Sequence, residues 1–206
     1  MTWHWINGWR LTALVSVLLS LMVIVIVGLH DLSTDGIRMA IRATARTSLL
    51  LFVPVFAASA LARRWPGPLT RWLRRNRRYL GVSFAASHGL HAIVIAAFAI
   101  SDPELFHSMT STATLFSGGS AYLVILAMAA TSFDRAIAWL GPRNWQALHW
   151  FGGWYIAISF IVTNAKRTPD MPLYWIPVGL VLAAIALRMA DWWQKRRTIR
   201  AANAPA

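Results

Sequence analysis

Residues 11–29 read LTALVSVLLSLMVIVIVGL, with no charged side chain anywhere in the run. As a helix rising about 1.5 Å per residue, such a run matches a hydrocarbon core about 30 Å thick. A backbone surrounded by lipid must satisfy its own hydrogen bonds, so the run is expected to be helical. Five further stretches have comparable length and character: residues 44–62, interrupted by Pro54, then 79–100, 115–133, 145–165, and 171–189, kinked or capped by Pro177. The expected fold is an all-α integral membrane protein. It is a six-transmembrane-helix bundle in which residues 1–206 form a single domain.

Composition supports this reading and excludes others. Of 206 residues, 57% are hydrophobic and 13% charged, far too apolar for a water-facing globular surface. The chain has no cysteine, which removes disulfides, iron–sulfur clusters and thiolate metal sites. A net charge of +13 raises nucleic acid as a partner. The arginines, however, fall in short blocks between apolar runs, a pattern that sets topology and attracts anionic membrane lipid, so no nucleic acid is expected. One Arg and three Trp precede the first span, and no clean small-x-small site follows it. A cleaved leader is therefore not expected.

The basic residues also orient the bundle. Arg63, Arg64, Arg71, Arg74, Arg75, Arg77 and Arg78 crowd the second connection, Arg135 and Arg143 the fourth, and Lys195, Arg196, Arg197 and Arg200 the tail. Arg10 precedes the first span, whereas the third connection has no Lys or Arg and the fifth has Lys166 and Arg167. Helix parity and the positive-inside rule agree on both termini cytoplasmic, in a multi-pass protein of the bacterial inner membrane. Trp3, Trp5, Trp9, Trp139, Trp145, Trp192 and Trp193 lie near span ends, as an interfacial aromatic belt requires. Arg38, Arg42 and Arg46 run against the charge rule in the first external connection. Their four-residue spacing places them on one helical face. That face reads either as an interfacial amphipathic turn or as a place where Arg42 or Arg46 neutralises acidic groups of a cofactor or a quinone head.

Chemistry inside the membrane is limited to a few residues. All seven acidic residues fall in loops or at span ends, which argues against paired-carboxylate catalysis and a carboxylate-driven transporter. No phosphate-binding glycine loop follows a strand. Histidine remains: His88 and His91 in the third span, three apart and near one face, and His149 in the fifth. Neutral imidazole is an axial ligand of haem held between membrane helices, while a lone membrane histidine also serves as an interhelical hydrogen-bond partner. Zinc lacks the carboxylate or thiolate to complete a tetrahedron.

The segment Arg77-Arg78-Tyr79-Leu80-Gly81 followed by Leu90-His91 resembles the third-helix motif of the ferric reductase-like transmembrane domain family. More narrowly, it is similar to the haem-binding membrane subunits of bacterial protein-methionine-sulfoxide reductase systems. Thr131-Ser132, Leu140-Gly141, Trp145 and Leu148-His149 match the fourth connection and fifth helix of those subunits, and Leu187-Arg188 matches their terminal pattern. The likeness spans roughly residues 10–200. It implies a six-helix fold, haem b (one or two) held by histidines of helices three and five, and electron transfer across the membrane. The chain would then be an electron-transfer subunit of an oxidoreductase rather than a self-contained enzyme. Its implied partners are a periplasmic molybdopterin reductase or a cytoplasmic flavin reductase, with quinone or flavin supplied by a partner. The family carries a second histidine further along helix five, where this chain reads Ile161-Val162-Thr163-Asn164.

Depth sharpens that departure. His91 lies about 18 Å from the cytoplasmic edge of its span and His149 about 6 Å, so one iron between them is awkward. His91 and His149 are the first-choice axial ligands and His88 the reserve, with two half-equipped haem levels as an alternative. His30 is a further outer candidate. Arg77 and Arg78 inside, and Arg42 or Arg46 outside, are candidate propionate partners, because guanidinium pairs bidentately with carboxylate. For Arg77 and Arg78, topology and headgroup binding is the competing role. A second reading of the whole chain is a haem-poor membrane anchor or assembly partner of a redox complex.

Overall fold

In a computed structural model, residues 6–202 are described, and every regular element among them is helical. Trp3 and Trp5 of the expected aromatic belt, and the side chain of Arg200, lie outside the described residues. The elements are α1 (Trp9–Leu29), α2 (Thr34–Arg64), α3 (Pro68–Arg75), α4 (Arg77–Ser101), α5 (Pro103–Met109), α6 (Thr112–Ala130), α7 (Asp134–Leu140), α8 (Pro142–Ala165) and α9 (Trp175–Ala202). A single 3-10 turn, Pro172–Tyr174, leads into α9.

Among the described residues, five segments are long and apolar enough to cross a membrane: Trp9–Leu29, Thr34–Arg64, Arg77–Ser101, Thr112–Ala130 and Pro172–Ile199. The stretch expected as the fifth span forms the 24-residue helix α8, which is not one of these five. Its polar residues, Arg143, Asn144, Gln146, His149 and Asn164, leave it outside that apolar set.

The boundaries also move. The second span, expected over 44–62, begins ten residues earlier at Thr34 because the local signals favour a helix there. Ser33 Oγ accepts the Gly36 N–H at 3.2 Å, and Asp35 sits in the positive end of the helix dipole. Arg38, Arg42 and Arg46 are therefore turns of α2 itself rather than a connection. The turn into α2 is tight: Asp31 and Leu32 take positive φ, and a Cβ on Gly36 would come within 2.5 Å of His30 Cβ. The basic stretch expected as a cytoplasmic loop contains α3, which buries Leu73 and exposes Arg71, Arg74 and Arg75.

Helix α2 is the hub. It packs against α1, α3, α4 and α9. Between lipid-immersed helices the apolar effect is weak, so close approach and interhelical hydrogen bonds carry the association. The sequence of α2 suits that: Ala40, Thr44, Ser48, Ala57, Ala58, Ala60 and Ala62 are all buried. The Ser48 and Ser87 hydroxyls lie 2.8 Å apart, joining α2 to α4. Leu49, Phe52, Phe56, Phe84, Ile125, Ile156 and Val181 form the main core where α2, α4, α6, α8 and α9 meet.

At the arginine-rich end, Arg63 makes a bidentate pair with Asp191 at 2.5 Å, and Lys195 approaches the same carboxylate at 3.6 Å. This ties the end of α2 to the extension of α9, which continues past the expected end at Met189.

Candidate functional site

His91 sits on α4 facing α2, half-buried, with Nδ1 2.9 Å from Thr44 Oγ1. Thr44 itself is fully buried, and its hydroxyl is also 2.8 Å from the Ala40 carbonyl and 3.0 Å from that of Ile41. A hydroxyl has one proton, and here it goes back to the helix carbonyls. Thr44 must then accept from His91, so Nδ1 carries the hydrogen and Nε2 keeps its lone pair. The side chain is thereby held in the tautomer that suits a metal ligand.

His88 is one turn earlier. Its ring centroid lies 5.4 Å from that of His91, 5.2 Å from Phe84, 5.1 Å from Tyr122 on α6 and 6.0 Å from Phe160 on α8. Its Nδ1 and the neighbouring Tyr122 hydroxyl are both buried and have no hydrogen-bond partner among the described residues. Buried polar groups are nearly always paired, so two orphans on touching rings are unusual.

His149, near the start of α8, stacks on Trp145 with centroids 4.4 Å apart. Its Nε2 is 3.3 Å from Thr131 Oγ1, a hydroxyl 2.7 Å from the Ala127 carbonyl. Thr131 likewise spends its proton on the helix carbonyl and accepts from His149, so the hydrogen sits on Nε2 and the lone pair on Nδ1. Thr131 ends α6 nine residues beyond Tyr122, about 13 Å along the helix. Along α8, Phe160 is eleven residues beyond His149, about 16 Å. Two helices thus agree that His149 and His88 stand at different depths. His91 is further still, because Arg78 and Tyr79, which open α4, lie beside Asp134 and Trp9 at the His149 end.

Of the arginines, Arg77 is exposed in the first turn of α4 and reaches Ser59 Oγ at 3.4 Å. Arg78 pairs with Asp134 at 2.6 Å and lies over the rings of Trp9 and Tyr79. Arg42 and Arg46 are exposed. Each is two residues from Thr44, so at 100° per residue both project from the side of α2 away from His91. His30 is exposed beside Gly36, eight residues or about 12 Å along α2 from Thr44.

The haem-binding subunit MsrQ of protein-methionine-sulfoxide reductase from Cronobacter sakazakii (strain ATCC BAA-894) is 30% identical to this chain over 158 residues. The aligned part is 73% of this chain and 76% of the relative. This chain belongs to the MsrQ family. No family-wide sequence profile matches it. No solved structure matches it either.

Within this MsrQ-family chain, several residues that shape the site carry no sequence signal of their own. Thr44 is an ordinary small span residue, and Thr131 only part of a connection pattern, until each is seen against an imidazole. Tyr122 and Phe160 do not stand out among the aromatic residues of the spans. Arg188 was legible only as part of a terminal pattern. In the fold it is half-buried, donates from Nη1 to the Phe56 carbonyl at 2.9 Å, and lies 4.1 Å from the Phe56 ring centroid. A charge within a span needs such partners, and a carbonyl with an aromatic face supplies them.

Proposed function

We propose that this chain is a b-type haem electron-transfer subunit that crosses the bacterial inner membrane six times, α8 included, and relays electrons to a partner reductase. The observation that carries the reading is His91: an imidazole on a membrane-spanning helix, oriented by Thr44 so that Nε2 is free to bind iron. The donor set fits haem. A neutral imidazole is available, and Nδ1 of His88 and the Tyr122 hydroxyl are buried without partners, as where a polar occupant belongs. Haem, when bound, supplies one-electron redox chemistry.

The chain's own part is to hold, orient and shield the group. His91 is its anchor at mid-span. His149 marks a second level near the Arg77 end of α4, where Arg77 is placed to pair with a propionate. His88 is the reserve ligand beside His91. Arg46, projecting away from this region, reaches lipid headgroups. The name of the Cronobacter relative supports a protein-methionine-sulfoxide reductase as the partner. A molybdopterin enzyme on the periplasmic side fits that role, and quinol or a flavin reductase serves as the source of electrons.

A reduced-minus-oxidised spectrum of the purified protein tests the proposal. A b-type band is expected. A colourless protein after expression with ample haem supply would sink it and leave the membrane-anchor reading.

Thr44→Val removes the acceptor from His91 Nδ1 while conserving shape. Loss of such a partner typically weakens metal binding roughly 10- to 100-fold. Haem retention during size-exclusion chromatography is expected to fall accordingly, with the helical content unchanged by circular dichroism.

The topology has its own test. Because the chain has no cysteine, single cysteines report without background. A cysteine at Arg71 is expected to react with an impermeant thiol reagent only in inverted vesicles, and one at Lys166 only in right-side-out vesicles. The reverse pattern would invert the bundle.

A further inference from the structure

We propose that the recess between the end of α2 and the extension of α9 binds the phosphate-bearing headgroup of an acidic membrane phospholipid. The site needs no haem, so it stands apart from the electron-transfer reading.

The recess has a volume of about 440 Å³, within the range of small-molecule sites. Arg63 and Arg64 line it from α2, and Asp191, Gln194, Lys195, Thr198 and Ile199 from α9. On α9 these positions follow the spacing i, i+3, i+4, i+7 and i+8, which is one face of a helix. The other sides of the same helix carry Trp193, Arg197 and Arg196, whose guanidinium lies 3.9 Å from the Trp192 ring centroid.

The charges in the recess do not balance. Arg63 donates from Nε to Asp191 Oδ1 and from Nη2 to Oδ2, each at 2.5 Å, so that pair is closed. Lys195 lies 3.6 Å from the same carboxylate, beyond hydrogen-bond reach. Arg64 makes no ion pair among the described residues. Arg64 and Lys195 therefore keep donors free for an anion. Gln194 adds a neutral amide, and Thr198, whose proton goes to the Gln194 carbonyl at 3.1 Å, can accept from a headgroup hydroxyl. A phosphate diester brings one negative charge and the oxygens that such cations bind.

Position selects the source of that phosphate. Trp65 follows Arg64 directly, Trp192 and Trp193 follow Asp191, and all three are exposed. Exposed indoles at span ends sit at the level of the lipid headgroups. A recess opening there meets phospholipid at the concentration of the membrane itself.

Phosphatidylglycerol titrated onto the full-length protein in detergent, and followed by native mass spectrometry, is the probe. Phosphatidylcholine is the zwitterionic control. Phosphatidylglycerol is expected to be retained and phosphatidylcholine lost. Arg64→Gln combined with Lys195→Gln is expected to weaken retention roughly 30-fold, at about fivefold for each cation. Both side chains are exposed and lie outside the Arg63–Asp191 clasp, so the packing of α2 on α9 is kept. Arg196→Gln combined with Arg197→Gln removes the same charge from the other sides of α9 and is expected to leave binding unchanged. An equal loss in both double variants overturns the inference, because net charge alone would then explain the attraction. Equal retention of the two lipids overturns it as well. So does displacement of phosphatidylglycerol by millimolar inorganic phosphate, which would make the recess a site for a soluble anion. Each of these outcomes leaves the electron-transfer reading untouched.

Discussion

Replacing His91 by alanine is expected to remove most of the haem that the chain carries, measured as pyridine haemochrome per polypeptide. The reason is the absence of any alternative as well prepared. His91 is locked by Thr44 with Nε2 free, whereas the Nδ1 of His88 has no partner to set its tautomer. Haem bound at the level of His149 would survive the substitution, because about 13–16 Å of helix separates that level from His88. The residual haem in His91→Ala therefore measures the second level directly. Combining His91→Ala with His149→Ala is expected to give a colourless protein. Full haem loading in His91→Ala alone would move the anchor to His88.

A second large effect is expected from α8 at a residue with no chemistry. Gly152 lies where α8 crosses α6, and a Cβ there would collide with Met128 and sit 3.0 Å from Val124 Cγ1. Gly152→Val overfills that crossing, which typically destabilises by about 1–3 kcal/mol. The thermal midpoint in detergent should drop, and the His149–Thr131 contact one turn below should loosen with it. Gly152→Ala combined with Met128→Ala should recover most of the loss, because the obstruction is a flexible side chain rather than backbone. An unaltered midpoint in Gly152→Val would mean that α6 and α8 are not held together at this point.

Much of this arrangement is legible in the residues themselves. The uncharged run at Leu11–Leu29 and the arginine blocks are direct consequences of lipid as a solvent, so helix positions and charge asymmetry follow from them without knowledge of the fold. The beginning of α2 was hidden, because Arg38, Arg42 and Arg46 look like a connection until Ser33 and Asp35 are recognised as a helix start. In α8, which begins at Pro142 rather than Trp145, interspersed polar residues place the helix outside the apolar set. His88, His91 and His149 were visible as candidates, since ionisable groups in spans stand out against an apolar background. Helical rise gave the order of their depths but not the size. It places His91 about 12 Å beyond His149 and brings His88 nearer that level. In the fold about 13–16 Å of helix separates His149 from His88 itself. What could not be read was which hydroxyl meets which imidazole: Thr44, Thr131 and Tyr122 are brought to their histidines by packing between segments distant in the chain. The same limit applies to Arg46, whose direction depends on which face of α2 meets α4.

Asn76, between α3 and α4, is 1% exposed and holds the start of the chain. Its Oδ1 accepts the Gly8 N–H at 3.0 Å, its Nδ2 donates to Asn7 Oδ1 at 2.7 Å, and nearby Trp72 Nε1 donates to the Ile6 carbonyl at 3.0 Å. The partners lie more than sixty positions apart, so a ribosome delivering the polypeptide presents the amino end long before its clasp. Residues 6–8 therefore meet these partners only once the chain has been made as far as Asn76, by which time α1 already has α2 to pack against.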